Sequence, residues 1–300
     1  MNPRAIPLLL KETMFAWHAD RGPRLGAALA YYTLFSLAPL LIIVMAIAAM
    51  AFGQEAAQAQ VVRQIEELMG LEGVKAIQTL LENTSKPSSG VMATLIGLAT
   101  LIFGATIVFT ELQDALNMIW KIQPKPERGM VLGLIRDRLM SFTMVFIMGF
   151  LLLLSIIANA VLEAVVQIFG DMLSNQVYFL RAVNFMFLFA IVTLLCAMIY
   201  KVLPDTYIAW EDVIIGAVVT SLLFALGKYL IGLYVVHSSV VSAYGAAGSL
   251  VAVLVWMYYS AQIFYFGAEF TKVYATRKGH RAAPRQDSAL DTQETYVGRG

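Results

Sequence analysis

The chain has 300 residues, of which 59% are hydrophobic and only 14% are charged. Soluble domains carry about 25% charged residues, so this composition excludes an ordinary soluble protein and indicates a membrane protein. The single cysteine, Cys196, excludes an intrachain disulfide. The formal net charge of +1 is uninformative by itself, because the placement of Lys and Arg relative to the membrane is what matters.

The N-terminal segment, residues 1–24, has no small-residue cleavage site of the kind that ends a secretory signal peptide. Apolar and charged residues mix over 7–18, which predicts a short amphipathic helix on the cytoplasmic membrane surface. The dipeptide Gly22-Pro23 predicts a break before the first apolar run.

Six apolar runs follow this segment. A bilayer core of about 30 Å requires about 20 apolar residues as a helix, since lipid cannot pair with exposed backbone groups. We therefore predict an all-α, polytopic protein whose membrane domain, residues 25–275, has six transmembrane helices. The runs are 25–53, 91–109, 139–162, 182–200, 213–236 and 246–268.

The distribution of Lys and Arg predicts the orientation of these helices. With a cytoplasmic N-terminus, the inner segments hold sixteen Lys and Arg residues and the outer segments four, while Lys228 lies within a span. Because basic residues concentrate in cytoplasmic loops, both termini are predicted to be cytoplasmic, in a bacterial inner membrane.

Two segments outside the spans have distinct patterns. The outer loop, residues 54–90, is too long for a structureless connection and repeats apolar residues at helical spacing. It predicts a small helical cap on the outer face. The C-terminal tail, 276–300, is polar and is predicted to be disordered.

Several motifs in order resemble a known family. These motifs are AALAYYTLFSLAPL at 27–40, ELQDALNMIW at 111–120, and a C-terminal block that includes Leu203-Pro204, Gly216-Ala217, Gly232-Leu233-Tyr234, Tyr244-Gly245, Trp256-Met257-Tyr258 and Gly267-Ala268-Glu269. Together they resemble the YihY/BrkB family of inner-membrane proteins, once labelled ribonuclease BN. The resemblance implies a six-helix fold and a role in transport or in the cell envelope.

Residue chemistry argues against the old nuclease label. The three histidines, His18, His237 and His280, fall at different ends of the predicted bundle. No metal-ligand spacing, phosphate-binding loop or nucleophile motif is present. We expect no enzyme activity, metal, cofactor or nucleic-acid partner.

The second span ends in a polar face. Glu111, Asp114 and Asn117 are spaced three apart, so they share one side of a helix. They can line a polar cavity, or they can mark a helix end that emerges into water. Glu269 near the end of the sixth span has the same two interpretations, with Lys272 as its expected partner.

Lys228 is the only full charge in the middle of an apolar run. It lies about 22 Å beyond Val213 along a helix, which places it below the outer surface. It can bind an anionic headgroup, extend its ammonium to the surface, or pair with Glu163. Arg181 is expected to join Glu163 in an outer polar cluster.

The first span carries Tyr32, Ser36 and Pro39 among apolar residues. Proline frees a backbone carbonyl and kinks a helix, and kinked helices border many transporter sites. The alternative is that these residues serve packing alone.

Three functions remain open. The first is a transporter that moves a lipid or an amphipathic, anionic solute along a path lined by these polar residues. The second is an envelope scaffold that binds a protein partner through 54–90, and the third is a cation or proton antiporter that uses Glu111 and Asp114. Membrane lipids are expected partners in every case, and the oligomeric state stays open.

Overall fold

A computed structural model describes residues 5–55, 58–59, 61–63, 65–66, 73–75, 78, 91–122, 154, 157, 161, 177–237, 247–280 and 283–284. These segments are mostly helical. Their elements are α1 (Ala5–Ala19), α2 (Gly22–Phe52), α3 (Val91–Ile119), α4 (Val177–Val202), β1 (Thr206–Tyr207), α5 (Trp210–His237), α6 (Gly248–Arg277) and β2 (Ala283–Pro284).

Long apolar helices dominate the described part of the chain. Three of them can cross a membrane by length and composition, at Ala182–Val202, Trp210–Lys228 and Gly248–Arg277. They coincide with the predicted fourth, fifth and sixth spans. The first and second predicted spans fall within α2 and α3, which have 31 and 29 residues.

Other predictions fall largely outside the described residues. The predicted span 139–162 contributes only three described residues, all helical. The described residues between 54 and 78 are helical as well, and the remainder of the predicted outer cap lies outside.

A sharp turn separates α1 from α2, at the predicted break. Arg21 adopts a left-handed backbone with φ 56°, and Pro23 lies in the first turn of α2. A Cβ on Gly22 would collide with the Trp17 indole, so glycine is required where the chain reverses. The turn brings α1 back along α6, where Leu9 packs against Phe270 and Tyr274.

The centre of the described bundle is α6, which contacts α5, α2, α1 and α3. Its contact with α5 is close because each helix presents a glycine to the other. Gly216 of α5 faces Thr271, and Gly267 of α6 faces Thr220. Both pairs bring the two helix backbones close together, as is typical of helices packed within membranes.

Both α4 and α5 also carry exposed apolar side chains. They include Val183, Phe185, Met186, Leu222, Leu226 and Leu230. Exposure of so many apolar side chains to water is unfavourable, whereas contact with lipid is favourable.

Most ionic contacts of the described residues lie at one end of the bundle, here called the polar end. It is formed by the α1–α2 turn, the C-terminal ends of α3, α4 and α6, and the start of α5. In this region β1 and β2 pair antiparallel, with Thr206 opposite Pro284 and Tyr207 opposite Ala283. Part of the predicted disordered tail is thus paired with the loop that follows α4.

Candidate functional site

Glu269 lies in α6 and is almost fully buried, with 1% of its surface exposed. A carboxylate in this position is costly unless charged or hydrogen-bonding partners surround it. Lys272, one helical turn later, supplies its Nζ 3.2 Å from Glu269 Oε2. The partner predicted from the sequence is therefore confirmed.

Lys272 also reaches a second carboxylate. Its Nζ lies 3.1 Å from Oδ2 of Asp20, which is buried in the turn between α1 and α2. Lys121, just beyond α3, donates to the other oxygen of Asp20. Asp20, Lys121, Glu269 and Lys272 form the Glu269 cluster, which joins the ends of α3 and α6 to the α1–α2 turn.

The two acidic groups of the Glu269 cluster differ in their surroundings. Burial opposes ionisation of Asp20, but hydrogen bonds from Glu269, Lys121 and Lys272 outweigh it and hold the Asp20 pKa below its ordinary value. Glu269 Oε1, in contrast, finds no hydrogen-bond donor among the described residues. Asp20 is therefore the better-stabilised anion of the two.

Glu111 lies in α3 and is half-buried. Its charge acts on the phenol of Tyr265 in α6. Tyr265 is fully buried, and its hydroxyl has no hydrogen-bond partner in the described part of the chain. Glu111 and Glu269 each lie about 12 Å from the C-terminal end of their own helix, measured along the helix axis.

Ser36 is buried where α2 meets α3. Its hydroxyl donates to the Tyr32 carbonyl at 3.0 Å and faces Gly104 of α3, where a Cβ would approach Ser36 Oγ to 2.9 Å. The backbone of α2 is helical on both sides of Pro39. Ser36, Glu111 and Glu269 thus all belong to the region where α2, α3 and α6 meet.

Asn117 has a different environment. Its Nδ2 donates to Asp205 Oδ2 at 3.0 Å, and its Oδ1 accepts from the Asp205 backbone at 2.9 Å. Gln113 Nε2 donates to the same carboxylate oxygen at 3.3 Å. Asn117 therefore holds the loop after α4, while Asp114 is exposed.

The residues predicted to lie toward the outer face do not belong to the Glu269 cluster. Lys228 is exposed on α5. Arg181 lies in α4 with a side chain outside the described set, and Glu163 lies outside the described residues altogether. Their meeting with Lys228 stays a prediction.

A third buried carboxylate, in addition to Glu269 and Asp20, was not expected from the sequence. Asp212 near the start of α5 is fully buried, and His280 Nδ1 lies 2.8 Å from its Oδ2. Lys278 lies 3.9 Å from the other oxygen. The residues after α6 are thereby attached to α5.

Metal ligation has no candidate group here. Within the described ranges, no set of three or more His, Cys, Asp or Glu side chains is placed to hold a metal ion. The chemistry offered by the site is that of buried carboxyls, ammonium groups and hydroxyls.

Known proteins similar to this chain are membrane proteins. A family model described as Virulence factor BrkB matches residues 14–291. A UPF0761 membrane protein of Tolumonas auensis is 28% identical, over 85% of this chain and 81% of that protein. Another from Psychromonas ingrahamii is 26% identical, over 89% of this chain and 88% of that protein.

Some relatives are longer than this chain. A UPF0761 membrane protein of Alcanivorax borkumensis is 25% identical over 88% of this chain, which spans 60% of that relative's length. No solved structure matches the chain.

Proposed function

Because the chain belongs to the BrkB family of membrane proteins, we propose that it is a transporter of the bacterial inner membrane. Its cargo is a lipid or an amphipathic, anionic solute of the cell envelope. In this proposal six helices cross the membrane, and the excess of Lys and Arg places the polar end and both termini in the cytoplasm.

The burial of Glu269 is the observation that carries this proposal. Ionisable groups within membrane helices are costly and commonly line the paths of ions or substrates. Glu269 belongs to a helix of spanning length, and it pairs with Lys272, which also reaches Asp20 in the α1–α2 turn.

We assign the Glu269 cluster the role of a cytoplasmic gate. Lys272 binds both Asp20 and Glu269, so it joins α6 to the α1–α2 turn while the gate is closed. Parting of the Lys272–Asp20 contact opens the region between α2, α3 and α6. Ser36, Glu111 and Tyr265 lie along that region and provide polar groups above the gate.

Lys228 supplies the matching charge toward the outer leaflet. It lies on the exposed side of α5, among apolar side chains such as Leu226 and Leu230. An ammonium in this setting attracts the anionic headgroup of an amphipathic cargo, while the apolar surface accepts its chain.

Reconstitution into liposomes tests the proposal. The full chain should move a fluorescent anionic phospholipid between leaflets faster than empty liposomes do. A Glu111→Ala, Lys228→Ala double variant should be slower than the parent, whereas Lys11→Ala, an exposed change on α1, should match it. Failure to move any anionic lipid or amphipathic anion would contradict a transport function.

A further inference from the structure

The Glu269 cluster brings two carboxyls to one half-buried ammonium. Asp20 and Glu269 are both buried, and Lys272 Nζ lies 3.1 Å from the first and 3.2 Å from the second. Lys121 binds the other oxygen of Asp20. Asp20 therefore contacts two lysines, while Glu269 contacts only Lys272 among the described residues and shares that cation with Asp20.

A single proton on one carboxyl relieves this competition for Lys272. Because the two carboxyls share one ammonium, a protonated carboxyl can donate a hydrogen bond to the other. Asp20 accepts from both lysines and is the better-stabilised anion, while Glu269 Oε1 lacks a donor. The proton therefore resides on Glu269, which becomes a donor toward Asp20.

A metal cation fits this position poorly. The Lys272 ammonium already lies between the two carboxylates at hydrogen-bonding distance, where a sodium ion would have to bind. Among the described residues, the charged groups that act on Glu269 are Asp20 and Lys272. Lys121 at the end of α3 contacts Asp20 instead, and Glu12 of α1 pairs with Arg277 at the surface.

We propose that Glu269 is the proton-binding site of the transporter, with Asp20 as the acceptor of its hydrogen bond. This inference rests on the proposed function. While the gate is closed, protonated Glu269 donates to ionised Asp20. When the gate opens, Glu269 releases the proton to cytoplasmic water, and the resulting carboxylate pairs with Lys272.

Infrared difference spectroscopy on the reconstituted full chain tests the assignment. Stepping the pH from mildly acidic to mildly alkaline should remove a carbonyl band of a protonated carboxyl group. Glu269→Gln should lose this band, while Glu12→Gln and Glu111→Gln should keep it. Asp20→Asn should move the transition to lower pH, because Glu269 then loses the neighbouring negative charge that opposes its ionisation.

Two results would overturn the assignment. One is a titrating band that persists in Glu269→Gln or is absent from the parent protein. The other is a midpoint that moves when sodium replaces choline in the buffer, since sodium would then compete for the site. Lipid movement without the titrating band would reject the proton site but keep the transport function, and the band without lipid movement would do the reverse.

Discussion

Lys272 Nζ lies 3.1 Å from Asp20 Oδ2, and this contact joins α6 to the turn between α1 and α2. The same ammonium lies 3.2 Å from Glu269. One side chain thus holds together parts of the protein separated by most of its sequence, and its removal should affect all of them.

Replacement of Lys272 by Met should destabilise the protein strongly. Two buried carboxyls would lose the cation that they share, and removal of one partner from a buried ion pair costs about 3 kcal/mol or more. Thermal unfolding of the full chain in detergent measures this loss. Lys11→Met, an exposed change on α1, should have little effect.

At a mildly alkaline pH, where Glu269 has released its proton, a Lys272→Met, Glu269→Gln double variant should unfold at a higher temperature than Lys272→Met alone. The second change removes the negative charge that the first leaves without a partner, so the two effects should not add. Additive losses would show that the two side chains act independently.

Tyr200→Phe should lower the free energy of unfolding by about 1 to 2 kcal/mol, the usual cost of lost buried hydrogen bonds. The Tyr200 hydroxyl donates to the Phe264 carbonyl at 2.6 Å and lies 3.0 Å from Thr220 Oγ1. Tyr258→Phe on the exposed side of α6 is the matched control. Equal unfolding midpoints for both variants would argue against a role of this hydroxyl in joining α4, α5 and α6.

Gly267→Ala should disrupt the contact between α5 and α6. The new Cβ would collide with Thr220 and approach Tyr200 Oη to 2.7 Å, and overpacking of this kind costs about 1 to 3 kcal/mol. A second change, Thr220→Ala, should restore part of the loss. Gly227→Ala should be milder, because its nearest neighbours are the ends of the Ile263 and Tyr259 side chains.

The contribution of Asp20 to stability should depend on pH. Its pKa lies below the ordinary value of 3.8, so its ionised contacts stabilise the folded protein above that pH. The contribution should fall as the pH drops through the lowered pKa of the folded state. Unfolding midpoints of the parent and Asp20→Asn should therefore differ at neutral pH and converge in strong acid.

Much of the helical framework was predictable because lipid imposes a simple rule on length and polarity. The apolar runs within α4, α5 and α6 meet that rule. The break at Gly22-Pro23 was predictable for another reason, because glycine and proline interrupt helices. Lys272 was also predictable as a partner of Glu269, since neighbours one turn apart on a helix necessarily meet.

The rest of the site depends on contacts between distant parts of the chain. The pairing of Asp20 with Lys272, and of Asp212 with His280, follows from how helix ends meet, and no local periodicity encodes it. Asn117 shows the same limit. Its spacing places it with Glu111, but the loop after α4 determines its partner, Asp205.

A reversible crosslink between α1 and α6 tests the gate most directly. Glu12 and Arg277 form an exposed pair at 2.7 Å, and buried Cys196 is the chain's only native cysteine, so Glu12→Cys and Arg277→Cys can be joined selectively by a reducible thiol crosslinker. If opening separates the α1–α2 turn from α6, the crosslinked protein should move lipid no faster than empty liposomes, and reduction should restore transport. Transport at the same rate before and after reduction would contradict the proposed gate.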